Sequence, residues 1–420
     1  MSSVPATEVP AIGQRASEGA TSPPRAPMTV LIVVPSLDTG AADAGALELT
    51  RVLRAAGDRA VVVSRAGRLV ADVTAAGATF VALDVASNNP LTLLRNAVTL
   101  ARLARDERCD AIHALGRAAA WSGYFAARLA KVPFITGWYK GFREQNPFKR
   151  RYNRVMARGE RVVAVSEQIA QLIHDRYGTP WERIAVVPLS VDFARFDPGA
   201  VSRERVEAMR QIWGVKRDTK VILVSGRILR RKGHHVVVRA VQRLKDMGLK
   251  DFLCIFVGED RGRTHYTGEL WDLVLATGTM DVIRMAPVVD VAAAYAAAAA
   301  VVSAAVQPEG LQRAIVEAQA MARPVIVSDL AAGADVVLTP PAVPESRITG
   351  LRFPAGDDAA LAAALLRLFS MPELTRRAMG ARGRDWVLGH FNAEVVAVQA
   401  LKLYGEATGR NGVDAVSQGE

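Results

Sequence analysis

The chain has 420 residues, 50% of them hydrophobic, which excludes a disordered chain and exceeds what one ordinary hydrophobic core accommodates. Two globular domains are therefore expected. The 53 Lys and Arg outnumber the 42 Asp and Glu, and the net charge of +11 permits a local basic surface that meets an anionic partner. The two cysteines, Cys109 and Cys254, lie in apolar runs, which favours reduced core thiols in a cytoplasmic protein over disulfides.

The N-terminal segment and the apolar runs bear on membrane attachment. Residues 1–27 are rich in Pro, Ser, Ala and Gly and lack the apolar core of a signal peptide, so they are predicted to form a disordered tail. No later run reaches the roughly 18 apolar residues that a spanning helix needs. The longest candidate, 291–306, is Ala-rich and shorter than this. The chain is expected to be soluble, or attached at most to a membrane surface.

From Thr29 onward, apolar strands alternate with amphipathic helices, which predicts a parallel sheet covered on both faces. The pattern breaks near 197–214 and then repeats from the strand that starts at Val221. The fold class predicted is α/β, with two Rossmann-like, doubly wound domains. The predicted divisions are a domain over 28–200, a second over 201–385, a helix over 386–408 that crosses back to the first domain, and a flexible tail over 409–420.

A basic loop follows the first strand of the second domain, in the segment SGRILRRKG. Cations at the carboxyl edge of a parallel strand face the crevice where such sheets bind ligands. Guanidinium and ammonium groups are suited to holding a diphosphate. The alternative is a solvated basic loop. The cations of this loop are Arg227, Arg230, Arg231 and Lys232.

Two glutamates, Glu309 and Glu317, lie eight residues apart across a predicted strand–loop–helix junction, in the segment SAAVQPEGLQRAIVEAQA. Pro308 and Gly310 mark the turn, so Glu309 is predicted in a loop and Glu317 about two turns into a helix that begins near Leu311. The amino end of that helix would present free amides and positive dipole to a diphosphate. The alternative is a helix with surface glutamates.

Combined, the two segments resemble the family-4 retaining glycosyltransferases of the GT-B type. That family has a G-R-x(4)-K-G loop followed by E-G-x(6)-E-A-x-A, and both patterns are present here. The resemblance extends over about residues 28–405 and implies a GT-B architecture, with a cleft between the two domains. The segment RAIVEAQAMARPVIVSD is most similar to bacterial enzymes of lipopolysaccharide or other surface-glycan assembly.

The resemblance implies a role for each matching residue. Arg227 and Lys232 would neutralise the nucleotide diphosphate as it leaves, Glu317 would bind the ribose, and Glu309 would hold hydroxyls of the donor sugar. Gly258 would let the nucleotide approach the backbone closely. No metal or other cofactor is expected, because the cations and the helix end supply the charge. The backbone positions assigned to the donor site are Gly40, Gly226, Gly258, Gly310 and Leu311.

Three further features bear on the site. His113 ends the strand AIHA and is predicted to point toward the cleft, as a catalytic helper or as a hydrogen-bonded structural residue. His234 and His235 are adjacent, so a strand or helix cannot turn both to one metal ion. Relatives often carry a His after the strand that ends near Thr136, whereas Tyr139 and Lys140 stand here, and that sugar contact stays unassigned.

The stretch 140–161 has eight Lys or Arg against two Glu, with aromatic residues interleaved. Such a pattern suits an anionic membrane or a phosphorylated glycolipid, and the alternative is a solvated helix face. Nucleic acid is disfavoured because no recognised binding module accompanies the run. Phe148 and Tyr152 are predicted to enter the interface. The predicted cationic face consists of Lys149, Arg150, Arg151, Arg154 and Arg158.

The function predicted is retaining transfer of a sugar from a nucleotide diphosphate to a glycan or glycolipid acceptor, by a cytoplasmic protein that is either free or peripheral at the inner face of the cytoplasmic membrane. One rival is a GT-B enzyme with a small soluble acceptor, as in sucrose or trehalose-type synthesis, or one that epimerises its donor. Another is a catalytically silent domain that binds nucleotide sugars. The presence of Arg227, Lys232, Glu309 and Glu317 favours activity over the silent domain.

Overall fold

The computed structural model describes residues 26–410, apart from residues 39, 142–145, 217, 261, 263, 288 and 331–335. The predicted tails, 1–27 and 409–420, therefore lie almost entirely outside the described residues. Arg410 is described, and its guanidinium donates to Asp110 at 2.5 Å and to the carbonyl of Pro27 at 3.1 Å. The N-terminal domain contains β1 Thr29–Ser36, α1 Ala41–Ala55, β2 Arg59–Arg65, α2 Val70–Ala75, β3 Thr79–Ala82, α3 Pro90–Asp106, β4 Ala111–Ala114, α4 Arg117–Ala130, β5 Phe134–Trp138, α5 Pro147–Asn153, β6 Arg161–Ala164, α6 Glu167–Tyr177 and β7 Ile184–Val186.

The second domain begins with a helix, α7, that precedes its first strand. α7 belongs to this domain because it packs against another of its helices, α10. Its strands and helices are α7 Arg203–Ile212, β8 Lys220–Ser225, α8 His234–Asp246, β9 Phe252–Val257, α9 Thr264–Ala276, β10 Ile283–Ala286, α10 Val291–Ala297, β11 Ala300–Ser303, α11 Arg313–Ala320, β12 Val325–Ser328, β13 Gly350–Phe353, α12 Asp358–Ser370 and α13 Glu373–Phe391. The last helix is α14 Ala393–Thr408.

Both sheets are parallel throughout, which confirms the predicted fold class. The first has the order β3-β2-β1-β4-β5-β6-β7 and the second the order β10-β9-β8-β11-β12-β13. In each sheet the chain reverses its direction of winding beside the first strand, between β1 and β4 and between β8 and β11. Ligands of open parallel sheets bind outside the carboxyl ends of the strands at such a switch point. Each sheet is covered on both faces by buried apolar clusters.

Three strands, β3, β7 and β13, were not predicted from the sequence, and each lies at the edge of its sheet. β3 and β7 contain no buried residue, and β13 includes Gly350 and Arg352, so none of the three forms a continuous apolar run. The longer central strands coincide with their apolar runs, as in β1, where six of eight residues are buried.

The chain returns to the first domain later than predicted. Residues 386–391 still belong to α13, which packs against α11 and β13 of the second domain. Asn392 then interrupts the helix, and its side chain accepts a hydrogen bond from the amide of Val395 at 2.8 Å, which caps α14. α14 packs against α1 and β4, with Val396, Leu403 and Tyr404 in the core of the first domain.

Candidate active site

The basic loop after β8 and the loop after β11 meet beside the switch point of the second sheet. The Nζ of Lys232 lies 3.2 Å from a carboxylate oxygen of Glu309 and donates to the side-chain carbonyl of Gln312 at 2.8 Å. Arg231 forms an ion pair with the same glutamate. The structure thus joins two segments that are about 80 residues apart in the chain.

Lys232 lies in a strongly cationic and largely buried environment. Burial lowers the pKa of its ammonium group to about 7, and the positive charges of Arg231 and Arg227 act in the same direction. The carboxylate of Glu309 pairs with this lysine at 3.2 Å, and a diphosphate placed beside it would favour its charged form further. This is the electrostatic behaviour expected of a residue that receives a diphosphate.

Glu317 lies one turn into α11, which starts at Arg313, and not two turns in as predicted. The hydroxyl of Tyr295 donates to its carboxylate at 3.0 Å, and Arg313 lies 3.4 Å from its other oxygen. Burial raises the pKa of Glu317, while Arg313 and Tyr295 oppose that shift. The carboxylate is thereby held in one orientation beside the end of β8, since Tyr295 also contacts Ser225 at 3.3 Å.

At two positions of the predicted donor site only glycine fits, because the backbone of another segment passes close to it. A Cβ at Gly258 would overlap the carbonyl of Gly226, so the space expected for the nucleotide is occupied there by the neighbouring loop. A Cβ at Gly310 would overlap the carbonyl of Tyr139 from the first domain. Gly310 therefore allows the two domains to approach each other. Leu311, also assigned to the donor, packs against the apolar core of the second domain.

The first domain presents a cavity of about 840 Å³ at its own switch point. Gly40 lines it and precedes α1, whose amino end is capped by Asp43: this carboxylate accepts from the amide of Gly40 at 2.9 Å and from that of Asp38 at 3.0 Å. Arg227 of the second domain reaches the same cavity. The cavity therefore opens toward the basic loop. Its basic lining residues are Arg117, Lys140, Lys149 and Arg227.

His113 does not point into the cleft as predicted. Its side chain is completely buried, and its Nδ1 lies 2.8 Å from the hydroxyl of Tyr404 on α14. Burial lowers its pKa to about 3, so the ring is neutral at physiological pH. These contacts support the structural alternative: His113 connects β4 to the returning helix.

The basic run is only in part the surface that was predicted. Residues 142–145, including Phe142, lie outside the described residues. The five cations of the predicted face are exposed, and so is Phe148, at 83%. Tyr152, by contrast, is half-buried, its ring lies 6.2 Å from that of Trp121, and its hydroxyl donates to Asn88 at 2.5 Å, so it is not available to enter a membrane.

An apolar row that reasoning from sequence missed lies on α3 and α4, two helices that pack side by side. Its members are separated by three, four or seven residues, which places them on one outward face of each helix. The helical spacing of these apolar residues is visible in the sequence, but they lie on the outward face of the helices and not in the core. The exposed apolar residues are Leu91, Leu94 and Val98 on α3 and Phe125 and Leu129 on α4.

The histidine pair lies at the start of α8, with each ring beside an aromatic side chain. His234 is buried against the ring of Phe256, and His235 contacts the hydroxyl of Tyr266 at 3.2 Å. Within the described ranges, no group of three or more His, Cys, Asp or Glu has the geometry to hold an ion. No helix among the described residues is long and apolar enough to cross a membrane.

Two facing parallel α/β domains, with cationic and acidic loops at the carboxyl edge of the second, define the GT-B class of glycosyltransferases. A solved glycosyltransferase from Rickettsia africae superposes with a TM-score of 0.80 and 26% identity, covering 91% of this chain and 98% of that one. HepE from Anabaena, solved in complex with UDP, superposes with a TM-score of 0.75 at 19% identity and covers 90% of this chain and all of its own.

The sequence comparisons agree with the fold. Residues 43–195 match the model of Glycosyltransferase Family 4, and residues 205–386 match that of Glycosyl transferases group 1. Since the two matches span most of the chain, it belongs to the glycosyltransferases that combine these two domains.

Relatives with assigned activities match over part of their length. The D-inositol 3-phosphate glycosyltransferases of Kineococcus radiotolerans and Salinispora tropica are 33% and 30% identical over 60% of this chain. The chain covers 58% and 52% of these two relatives. Their names specify D-inositol 3-phosphate, so they do not support the narrower resemblance to lipopolysaccharide enzymes drawn from the glutamate segment.

Proposed function

We propose that this protein transfers a sugar, with retention of anomeric configuration, from a nucleotide diphosphate sugar to an acceptor bound by the first domain. The observation that carries the proposal is the convergence of Arg227, Lys232, Glu309 and Glu317 on one side of the cleft. Solved structures of HepE, which shares the fold, contain UDP and UDP-glucose, and this supports a uridine nucleotide as the first donor to test.

The reaction requires the nucleotide diphosphate to leave the donor sugar and a hydroxyl of the acceptor to bond to that sugar. Arg227 and Lys232 stabilise the negative charge that develops on the leaving group. Glu309 orients the donor sugar, and Glu317 takes the ribose hydroxyls. Positioning and charge stabilisation carry the reaction, without a covalent intermediate on the protein.

Metal independence is part of the proposal. The cations of the β8–α8 loop supply positive charge where other enzymes place a divalent ion. Transfer should continue at the same rate after exhaustive treatment with EDTA. Loss of activity that is restored by Mg²⁺ or Mn²⁺ would show that the charge is supplied differently.

The acceptor is proposed to be a glycan or glycolipid of bacterial surface-polysaccharide or lipopolysaccharide assembly. A lipid-linked acceptor is supported by the exposed apolar row of α3 and α4 beside the cationic α5. Over α3, α4 and α5 the sequence has eight Arg or Lys and one acid, Asp106, which suits peripheral binding to an anionic membrane. Solved enzymes of the same fold include the lipopolysaccharide glycosyltransferase WaaG, with a TM-score of 0.65 at 15% identity.

A small soluble acceptor is the second candidate. The relatives named above act on D-inositol 3-phosphate, and the fold is shared with a sucrose-phosphate synthase from Thermosynechococcus elongatus at a TM-score of 0.71 and 20% identity. The two candidates differ in location, since only the first requires a membrane surface. The two buried cysteines support a reducing, cytoplasmic compartment for either one.

Donor binding and transfer are tested separately. UDP and other nucleoside diphosphates should raise the melting temperature, since a ligand at about 100 times its Kd adds roughly 2.7 kcal/mol to stability. NMR of the product formed from UDP-glucose should show the α-anomer of the donor retained. A chain that binds nucleotide sugars but neither transfers nor hydrolyses them would be the silent domain.

A further inference from the structure

The cavity of the first domain has two chemically different walls. The β1–α1 wall carries Asp38 and Asp43, and the carboxylate of Asp43 is already engaged by backbone amides at the start of α1. The opposite wall is formed by the start of α4, the end of β5 and the start of α5. It carries Arg117, Lys140 and Lys149. Within the first domain, positive charge is therefore concentrated on the α4, β5 and α5 side of the cavity, away from the acidic residues of the β1–α1 segment.

Two of these cations lie where electrostatics disfavours them. Arg117 is the first residue of α4, and a helix amino end repels a positive charge. The preceding residue, Gly116, provides no side-chain cap. Arg117 is nevertheless held in place, since its guanidinium donates to the buried side chain of Asn153 at 3.1 Å.

The charged form of Lys140 is also disfavoured, by burial and by neighbouring cations. Its side chain reaches solvent, but partial burial lowers its pKa, and the charges of Arg117, Arg231 and Arg227 lower it further. Asp43 opposes this shift. An anion bound between these cations would offset their mutual repulsion, and the amino end of α4 would favour it further.

The donor diphosphate does not account for the whole cluster. Lys232 follows β8 and contacts Glu309 and Gln312 of the second domain, whereas Arg227 of the same loop reaches the cavity. Arg117 and Lys149 instead belong to helices of the first domain, on the wall of the cavity opposite α1. The first domain thus has cations of its own, in addition to those of the donor site.

We propose that the acceptor is a phosphorylated molecule whose phosphate binds between Arg117, Lys140 and Lys149, while its hydroxyls face the wall of Asp38 and Asp43. This inference rests on the proposed function, because it assigns the substrate class of the same cleft. A soluble sugar or polyol phosphate and a lipid-linked sugar phosphate share this chemistry.

The test uses the full-length protein saturated with UDP, so that the donor site is filled. Inorganic phosphate is titrated and followed by the broadening of its ³¹P signal. Phosphate should bind to the wild type, and Arg117→Gln and Lys140→Gln should each weaken it about tenfold, the loss expected for one charge-assisted hydrogen bond. Arg102→Gln, an exposed arginine of α3 outside the cavity, is the matched control and should have no effect.

The competing outcomes are separable. Absence of phosphate binding in the UDP-saturated wild type, or equal binding by the wild type and both variants, would overturn the inference. UDP binding is measured independently, and its absence would refute the donor assignment alone. In that event the phosphate titration is made on Lys232→Ala, whose donor site is weakened, so the acceptor site is still tested. Lys140→Gln decides the matter if Arg117→Gln does not fold.

The two sources of phosphate are distinguished by competition. Glucose 6-phosphate, with glucose as its uncharged control, should displace inorganic phosphate if the acceptor is soluble. Vesicles that contain a polyprenyl phosphate should displace it if the acceptor is lipid-linked. Displacement by either one supports a phosphate site, and displacement by glucose to the same extent as by glucose 6-phosphate would contradict it.

Discussion

The ammonium group of Lys232 lies 3.2 Å from the carboxylate of Glu309, so two residues assigned to different parts of the donor are paired with each other in the structure. Arg231 binds the same carboxylate. A donor that brings a diphosphate to Lys232 and a sugar to Glu309 therefore replaces an existing ion pair. The pair keeps both side chains at the site before the donor arrives, and donor binding redistributes its charges.

Removal of one cation from the donor site should impair both nucleotide binding and catalysis. Lys232→Ala and Arg227→Ala should each lower kcat by on the order of 100-fold or more, because each removes a charge that stabilises the leaving diphosphate. UDP affinity should fall as well, which calorimetry measures. Lys250→Ala, an exposed lysine of the same domain, is the control. Wild-type turnover and affinity in both variants would refute the assignment.

Donor binding should depend on pH through Lys232. Because its pKa is about 7 in the free protein, compared with 10.5 for an ordinary lysine, the group is largely neutral at pH 8.5 to 9 and must take up a proton to bind a diphosphate. The affinity for UDP-glucose should therefore decrease as pH rises from about 7 to 9, by up to tenfold per pH unit. UDP-glucose is the suitable ligand because its diphosphate does not titrate in this range.

The pH dependence has a specific control. Lys232→Arg keeps its charge at every pH used, so its affinity for UDP-glucose should be nearly constant over this range. Calorimetry in buffers of different ionisation enthalpy should detect proton uptake by the wild type at pH 8.5 and none by Lys232→Arg. Equal pH profiles for the two proteins would show that another group titrates.

Membrane binding should depend on the cations of α5 and the residue that follows it. Changing Arg150, Arg151 and Arg154 to Gln should weaken binding to anionic vesicles by about 100-fold, since each cation near such a surface is worth about 1 kcal/mol. Wild-type binding should fall with salt, because the Debye length is about 8 Å at physiological ionic strength. UDP binding should be unchanged.

The matched control makes the same change of charge in the second domain. Arg203, Arg239 and Lys250 are exposed there, and their replacement by Gln should leave vesicle binding intact. Leu91→Ser combined with Leu94→Ser should weaken vesicle binding without any change of charge. A wild-type protein that ignores anionic vesicles at low salt would leave the basic run as a solvated helix face.

The contact between His113 and Tyr404 should affect stability more than catalysis. Tyr404→Phe leaves the buried Nδ1 of His113 without its partner, which should lower the free energy of unfolding by about 1 to 3 kcal/mol. Denaturant unfolding measures this, with the half-buried Tyr124→Phe in the same domain as the control. A large fall in kcat with unchanged stability would indicate instead that His113 takes part in the reaction.

The sequence by itself was sufficient to predict the fold and to indicate which residues after β8 and β11 belong to the candidate site. Continuous apolar strands separated by amphipathic helices are sufficient to specify two parallel sheets. The spacing of Arg227 and Lys232, and of Glu309 and Glu317, is local information, because each pair lies within one loop or one loop and its helix. Such features follow from periodicity and turn residues, without knowledge of distant contacts.

Only the tertiary structure decided which distant residues meet. Strand order brings β8 next to β11 and thereby pairs Lys232 with Glu309 and Gln312. The return of α14 turned His113 into a buried structural residue. The first sheet likewise placed β4 beside β5, which brings Arg117 and Lys140 to one cavity. A sequence pattern reports the period of its own segment, whereas these contacts arise from the order in which parallel strands pair.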